Sequence, residues 1–219
     1  MEIEEKIMYT YTKIETIYER DTEGTKKLVE GQFRNEAVKY LKDLDWICTE
    51  KIDGTNIGVI WDGHNISFQG RTEKAEIPKH LLEKLERIFL TNEMEEILEQ
   101  LFGEKEVIFF GEGYGDKIQK CGKDYIPDSV SFILFDIYMP SSNIWLNRIG
   151  IESVAKSLGI DTVPIIGVGP LDTAVKFVKT HPKSKIGTAN MEGLVCKPYI
   201  DMYDRNGKRI MVKIKACDF

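Results

Sequence analysis

Apolar residues along the chain fall into short runs of strand length and into longer stretches with helical spacing. Residues 46–50, 57–61 and 66–69 predict strands, the last two joined by a hairpin across Asp62-Gly63-His64-Asn65. Pro78 opens a helical stretch that reaches Phe102 and is broken near Thr91-Asn92, where either residue can cap a second helix. Apolar and aromatic runs at 106–110 and 131–138 predict two more strands, on either side of a glycine-rich segment at 111–122. Beyond them the pattern predicts a helix near 151–158, a strand near 163–168, a helix near 172–180, and short strands at 193–197 and 209–215. The first 45 residues scatter charge among isolated apolar positions and predict irregular structure leading into one helix at about 35–44. Strands and helices alternate without a regular β-α-β rhythm. The expected class is therefore α+β, with mostly antiparallel sheets flanked by helices.

Composition narrows this picture. With 219 residues, 42% of them hydrophobic and 30% charged, the chain can bury a sizeable core, and a single domain over residues 1–219 is expected. No apolar run approaches bilayer length, and residues 1–13 lack the unbroken apolar stretch of a secretory signal, so the cytoplasm is the expected compartment. Cys48, Cys121, Cys196 and Cys217 lie far apart, with no C-x-x-C pair and no histidine at ligand spacing. They are expected to be reduced packing residues. His64, His80 and His181 show neither metal nor triad spacing and receive no role. A net charge of −6 repels a nucleic-acid backbone, so such a partner would need a local basic patch.

Chemistry concentrates around Glu50-Lys51-Ile52-Asp53-Gly54-Thr55-Asn56, between two predicted strands. One reading is a simple hairpin, because Asp-Gly is a favoured two-residue turn. The other makes Lys51 a nucleophile. That requires a neutral amine although a free lysine titrates near about 10.4, and burial or neighbouring cations are the means of lowering that value.

Several further segments, in order, bear on the choice. Lys51-Ile52-Asp53-Gly54-Thr55-Asn56 resembles the K-x-D-G-x-x signature of the covalent nucleotidyltransferase superfamily, which contains DNA ligases, RNA ligases and mRNA capping enzymes. Arg71 in Gln69-Gly70-Arg71-Thr72 is similar to the arginine that follows the first hairpin there. Phe109-Phe110-Gly111-Glu112 resembles the third motif, and Ser131-Phe132-Ile133-Leu134-Phe135-Asp136-Ile137 the aromatic strand after it. Glu192-Gly193-Leu194-Val195 is similar to the fourth motif, and Met211-Val212-Lys213-Ile214-Lys215 to the K-x-K of the fifth. A lone E-G-L-V is only a turn entering a strand, and a lone K-x-K only a solvated strand face. Six matches in the right order are a different matter. Asn56, Glu50 and the segment 111–115 resemble the RNA ligases within the superfamily. The chain stops four residues after Lys215, so a free-standing catalytic core with no appended oligonucleotide-binding barrel is expected.

The resemblance implies an ATP-dependent RNA ligase that joins RNA 3′-hydroxyl and 5′-phosphate ends through a lysyl-AMP intermediate. Lys51 would take AMP from ATP, and Lys213 and Lys215, alternating on one strand face, would meet the α-phosphate. Asp53, Glu112 and Glu192 would hold the waters of Mg²⁺ or Mn²⁺, with Glu112 alternatively on the ribose. Arg71 is implied to contact ribose or phosphates, Asn56 the metal shell or sugar, and Glu50 the adenine amino group. Phe132 and Val195 would sandwich the adenine, family spacing favouring Phe132 over Phe135. The lysines of segment 116–123 read equally as a solvated loop or as a contact to RNA phosphates, and a partner protein supplying RNA binding is left open. A DNA ligase, a GTP-using capping enzyme and a nucleic-acid end-binding protein without turnover are the competing readings.

Overall fold

A computed structural model describes residues 8–72 and 74–219. In chain order the strands and helices are β1 (Glu15–Thr16), β2 (Tyr18–Arg20), β3 (Leu28–Phe33), α1 (Glu36–Leu41), β4 (Trp46–Lys51), β5 (Thr55–Trp61), β6 (Ile66–Gln69), α2 (Lys79–Phe89), α3 (Asn92–Phe102), β7 (Val107–Gly115), α4 (Gly122–Tyr125), β8 (Val130–Met139), β9 (Ile144–Trp145), α5 (Arg148–Leu158), β10 (Ile165–Gly169), α6 (Leu171–Lys179), β11 (Gly193–Pro198) and β12 (Val212–Lys215). They form two compact units. The first comprises described residues 8–12 and Asp53–Thr162, the second Lys13–Ile52 and Val163–Phe219.

The first unit is built on a five-stranded antiparallel sheet in the order β6-β5-β7-β8-β9. The β5–β6 turn is the expected one: the Asp62 carboxylate accepts from the amides of His64 and Asn65, and Gly63 takes φ +102°. Helix α2 places Leu81, Leu85 and Phe89 four residues apart, on the stripe that packs against Val59, Phe109 and Phe132 of the sheet. The break foreseen after α2 is real. Thr91 adopts extended backbone and its hydroxyl accepts from Met94 N at 3.2 Å, which starts α3.

Strand β7 runs through Gly115, whereas the sequence pattern ended a strand at 110 and left a glycine-rich segment after it. The glycines mark close approach rather than a loop. A Cβ on Gly111 would collide with the Phe132 ring, and one on Gly113 with Leu81.

In the second unit the sheet order is β1-β12-β11-β4-β10, antiparallel except for the parallel β1–β12 pair. Along β4, Trp46, Cys48 and Glu50 are buried while Ile47, Thr49 and Lys51 are half-buried, the two-residue alternation of a sheet with one core face. Leu171, Ala174, Val175 and Val178 of α6 share that core with Trp46, Leu194, Cys196 and Ile214.

Three expectations need correction, and one of two alternative readings is decided. Residues 15–33 hold three strands where irregular structure was expected; they are short, and β1 pairs with β12, almost 200 residues away, so no local pattern announces them. Residues 1–7 of that stretch lie outside the described residues. The helix there is Glu36–Leu41, shorter at both ends, with the Asn35 side chain capping it by accepting from Ala37 N at 2.8 Å. Strands β4 and β5 belong to different sheets, so Asp53-Gly54 is not the turn of a hairpin. Cys48 and Cys196 are buried packing residues, but Cys121 and Cys217 are exposed. Among the described residues no helix is long and apolar enough to cross a membrane.

Leu85 is wholly buried between α2 and the sheet. Leu85→Ala should cost on the order of 2–5 kcal/mol, read as a lowered urea midpoint with an unchanged slope; an unmoved midpoint would contradict this packing.

Candidate active site

Register in the second unit assembles one face of its sheet from three strands. Lys51 is the last residue of β4 and lies opposite Gly193 of β11, which in turn lies opposite Lys215 of β12. Thr49, Val195 and Lys213 form the next row. Directly paired residues project to the same side, so Lys51, Lys213, Lys215 and Val195 share one face. Glu192 stands at the entrance to β11. Its Oε2 meets Lys51 Nζ at 2.5 Å and its Oε1 meets Lys215 Nζ at 2.9 Å, so one carboxylate bridges two ammonium groups. Gly193 lets the strands close: a Cβ there would overlap the Ile214 carbonyl oxygen. The hydrogen bond to Glu192 raises Lys215 above the usual lysine value, against an opposing desolvation.

Glu50 points the other way from Lys51. It is 1% exposed; Oε2 accepts from Lys185 N at 2.8 Å, and Oε1, equally shielded, receives no hydrogen bond among the described residues. A shielded carboxylate oxygen without a donor suits an N–H group brought by a ligand.

The remaining candidates belong to the first unit. Asn56, Glu112 and Ile133 are directly paired across β5, β7 and β8 and share a face, with Glu112 Oε2 shielded from solvent. Phe132 does not join them. It is turned to the core, edge-on to Phe89 at 5.4 Å, because its partner on β7 is Gly113, one residue out of step with Glu112. Phe135 is the extra residue of a bulge in β8, and its ring meets Tyr11 edge-on at 5.0 Å. Arg71 is exposed in the bend after β6. Gly54 packs so tightly that a Cβ would reach the Gly113 carbonyl oxygen at 2.5 Å, which explains a glycine after Asp53.

The RNA ligase family model matches residues 44–215. This chain belongs to the RNA ligase family. Its fold is similar to part of that of Naegleria gruberi RNA ligase. A mutant of that protein solved with ATP and Mn is 22% identical over 94% of this chain and 56% of its own, with a TM-score of 0.67. A mutant solved with AMP and Mn is 22% identical over 82% and 52%, at TM-score 0.63. The structure with PPi is 23% identical over 82% and 52%, also at 0.63. The chain spans about half the length of these solved proteins.

Sequence reasoning for this RNA ligase family member missed the bridging position of Glu192 and the presence of Ile133 beside Glu112. The first depends on strands 141 residues apart, and the second on a bulge. Neither leaves a local signal. Among the described residues no three His, Cys, Asp or Glu side chains are grouped to cage a metal ion, and both Glu192 oxygens already face ammonium groups. Asp53, Glu112 and Glu192 are carboxylates, the oxygen donors that a hard divalent cation takes, mostly through its retained waters.

Replacing Glu192 by Gln should return the Lys215 amine toward the ordinary lysine value, read by ¹⁵N-lysine titration; an unmoved titration would show that Glu192 is not its partner. The sign follows from the raised value. The pair's contribution to stability is complete below 10.5 and is lost as pH rises through the raised Lys215 value.

Proposed function

We propose that the chain is the adenylyl-transferring core of an ATP-dependent RNA ligase. The observation that supports this most is the gathering of Lys51, Lys213, Lys215 and Glu192 from three strands onto one end of one sheet. An isolated structural ion pair needs neither the third lysine nor the alternation that aims it at the same side.

In this reading Lys51 Nζ attacks the α-phosphorus of ATP; a P–N bond forms, the bond to the bridging oxygen breaks, and pyrophosphate leaves. The amine must shed a proton, and Glu192 Oε2 is the acceptor already in contact with it. AMP then passes from Lys51 to the 5′-phosphate of RNA, and the 3′-hydroxyl of the other end displaces it to form the phosphodiester. The first two steps take place at the AMP phosphorus, and in the third negative charge returns to that phosphate as AMP leaves. Lys213 and Lys215, fixed on a strand beside Lys51, offer positive charge that needs no reorganisation.

Val195, paired with Thr49 and Lys213 on the Lys51 face, offers an apolar surface for the adenine, whereas Glu50, which the resemblance implied for its amino group, points to the opposite face. Arg71 and Asn56 would serve the ribose and phosphates. Asp53, Glu112 and Glu192 would hold the waters of Mg²⁺ or Mn²⁺, which when bound neutralises phosphate charge. RNA with 5′-phosphate and 3′-hydroxyl ends is the proposed partner. Lys117 and Lys123 Nζ lie 3.8 and 4.0 Å from the Asp116 carboxylate, so part of the positive charge in that loop is already answered.

Protein incubated with α-labelled ATP and Mg²⁺ or Mn²⁺ should acquire one label, located by mass spectrometry on Lys51, and Lys51→Ala should acquire none. Lys215→Ala should label on the order of 100-fold more slowly. Label on another side chain, or no label on wild type, would sink the proposal; strand closure on DNA but not RNA nicks would move it to a DNA ligase.

A further inference from the structure

The connection from β7 to β8 carries Lys117, Lys120 and Lys123, yet its polar contacts lead to the Asp53-Gly54 turn. Gln119 Nε2 donates to the Gly54 carbonyl oxygen at 3.1 Å, and the Asp53 amide donates to the Tyr125 hydroxyl at 3.3 Å. These are contacts across 65 and 72 residues. Together they bracket two consecutive residues, holding the N–H that enters Asp53 and the C=O that leaves Gly54.

The bracket has a firm base. Gly115 turns the chain at φ +117°, and Asp116 N donates to Ser129 O at 2.8 Å, closing the loop where it leaves the sheet. His80 Nε2 lies 3.3 Å from Asp116 O, tying the loop to α2. Gly122 presses on the Gly115 carbonyl so closely that no side chain fits, and its amide donates to Gln119 O at 3.0 Å. Tyr125 is buried and stands edge-on to Tyr114, with ring centroids 5.9 Å apart at 89°. Across the turn from this loop, Gly54 abuts Gly113 of β7. The turn is thus held by a strand on one side and by the loop on the other.

We propose that Gln119 and Tyr125 are positioning residues for adenylyl transfer, acting through the Asp53-Gly54 turn, and that the loop's first task is this and not capture of RNA phosphates. The inference rests on the proposed function only for why the turn matters. A carboxylate that must meet a ligand's water shell in one direction needs its own Cα fixed, and backbone groups flanking it are the economical place to do so. Gln119 is exposed, so packing does not account for its side chain reaching a carbonyl 65 residues away.

Three variants separate positioning from stability. Tyr125→Phe removes the acceptor and keeps the ring, Gln119→Glu keeps the shape and removes the donor, and Gln119→Arg restores an N–H donor. Exchange of the Asp53 amide with solvent, followed by NMR, should speed up by about tenfold or more in Tyr125→Phe, with the urea midpoint unchanged. Single-turnover labelling at saturating ATP should fall about 5- to 20-fold in Tyr125→Phe and Gln119→Glu, with KM for ATP within about twofold, and Gln119→Arg should match wild type. Unchanged amide exchange overturns the bracket whether or not the protein is active. Wild-type labelling rates in both Tyr125→Phe and Gln119→Glu overturn its role in the reaction. An inactive wild type instead overturns the proposed function, and the exchange measurement still decides the bracket.

Discussion

A single carboxylate shared by two lysines organises one face of the second unit's sheet. Glu192 sits where β11 begins, and its two oxygens reach Lys51 from β4 on one side and Lys215 from β12 on the other. Three strands must be in register for this, because a slip of one residue would turn Lys51 or Lys215 to the core face, where Glu50 and Ile214 now lie. The backbone makes room by having no side chain at Gly193, where any Cβ would strike the Ile214 carbonyl. Remove either the register or that glycine, and the two amines lose their common anion. A buried or half-buried ammonium without a partner is costly, so the arrangement is all or nothing.

The first unit solves a different problem with the same means. Glycines at 111 and 113 let the Phe132 ring and Leu81 close down on β7, so the polar residue between them, Glu112, is forced to the opposite face beside Asn56. Core packing and presentation of a carboxylate are thus two consequences of one alternation. It also explains why the aromatic chosen from family spacing, Phe132, is a core residue: its strand neighbour Ile133 is the one in step with Glu112.

Polar satisfaction sets the two faces of β4 apart. On the Lys51 face, charge is paired with charge. On the core face, Glu50 has one oxygen satisfied by the Lys185 amide and one that meets no donor among the described residues. Thr49, two residues before Lys51 and on the same face, carries no charge, and its hydroxyl donates to the Val195 carbonyl at 3.3 Å.

Much of this was legible in the residues alone. The α2 and α3 pattern, a cap at Thr91 or Asn92, the Asp62 turn and the strands carrying Glu50, Val195 and Lys213 follow from short-range periodicity and local hydrogen bonding, which act over a few residues and so are written in a few residues. The order of the six motifs pointed to the covalent nucleotidyltransferase superfamily, and Asn56, Glu50 and segment 111–115 to the RNA ligases within it, the family whose model matches residues 44–215. Other features depended on the tertiary structure: the pairing of β1 with β12, the separation of β4 and β5 into different sheets, the bulge that puts Phe135 out of step, the bridge at Glu192 and the grip of Gln119 and Tyr125 on the Asp53-Gly54 turn. Each is a contact between segments distant in the chain, whose free energy exists only once both partners have been brought together, so no window of sequence around either one contains it.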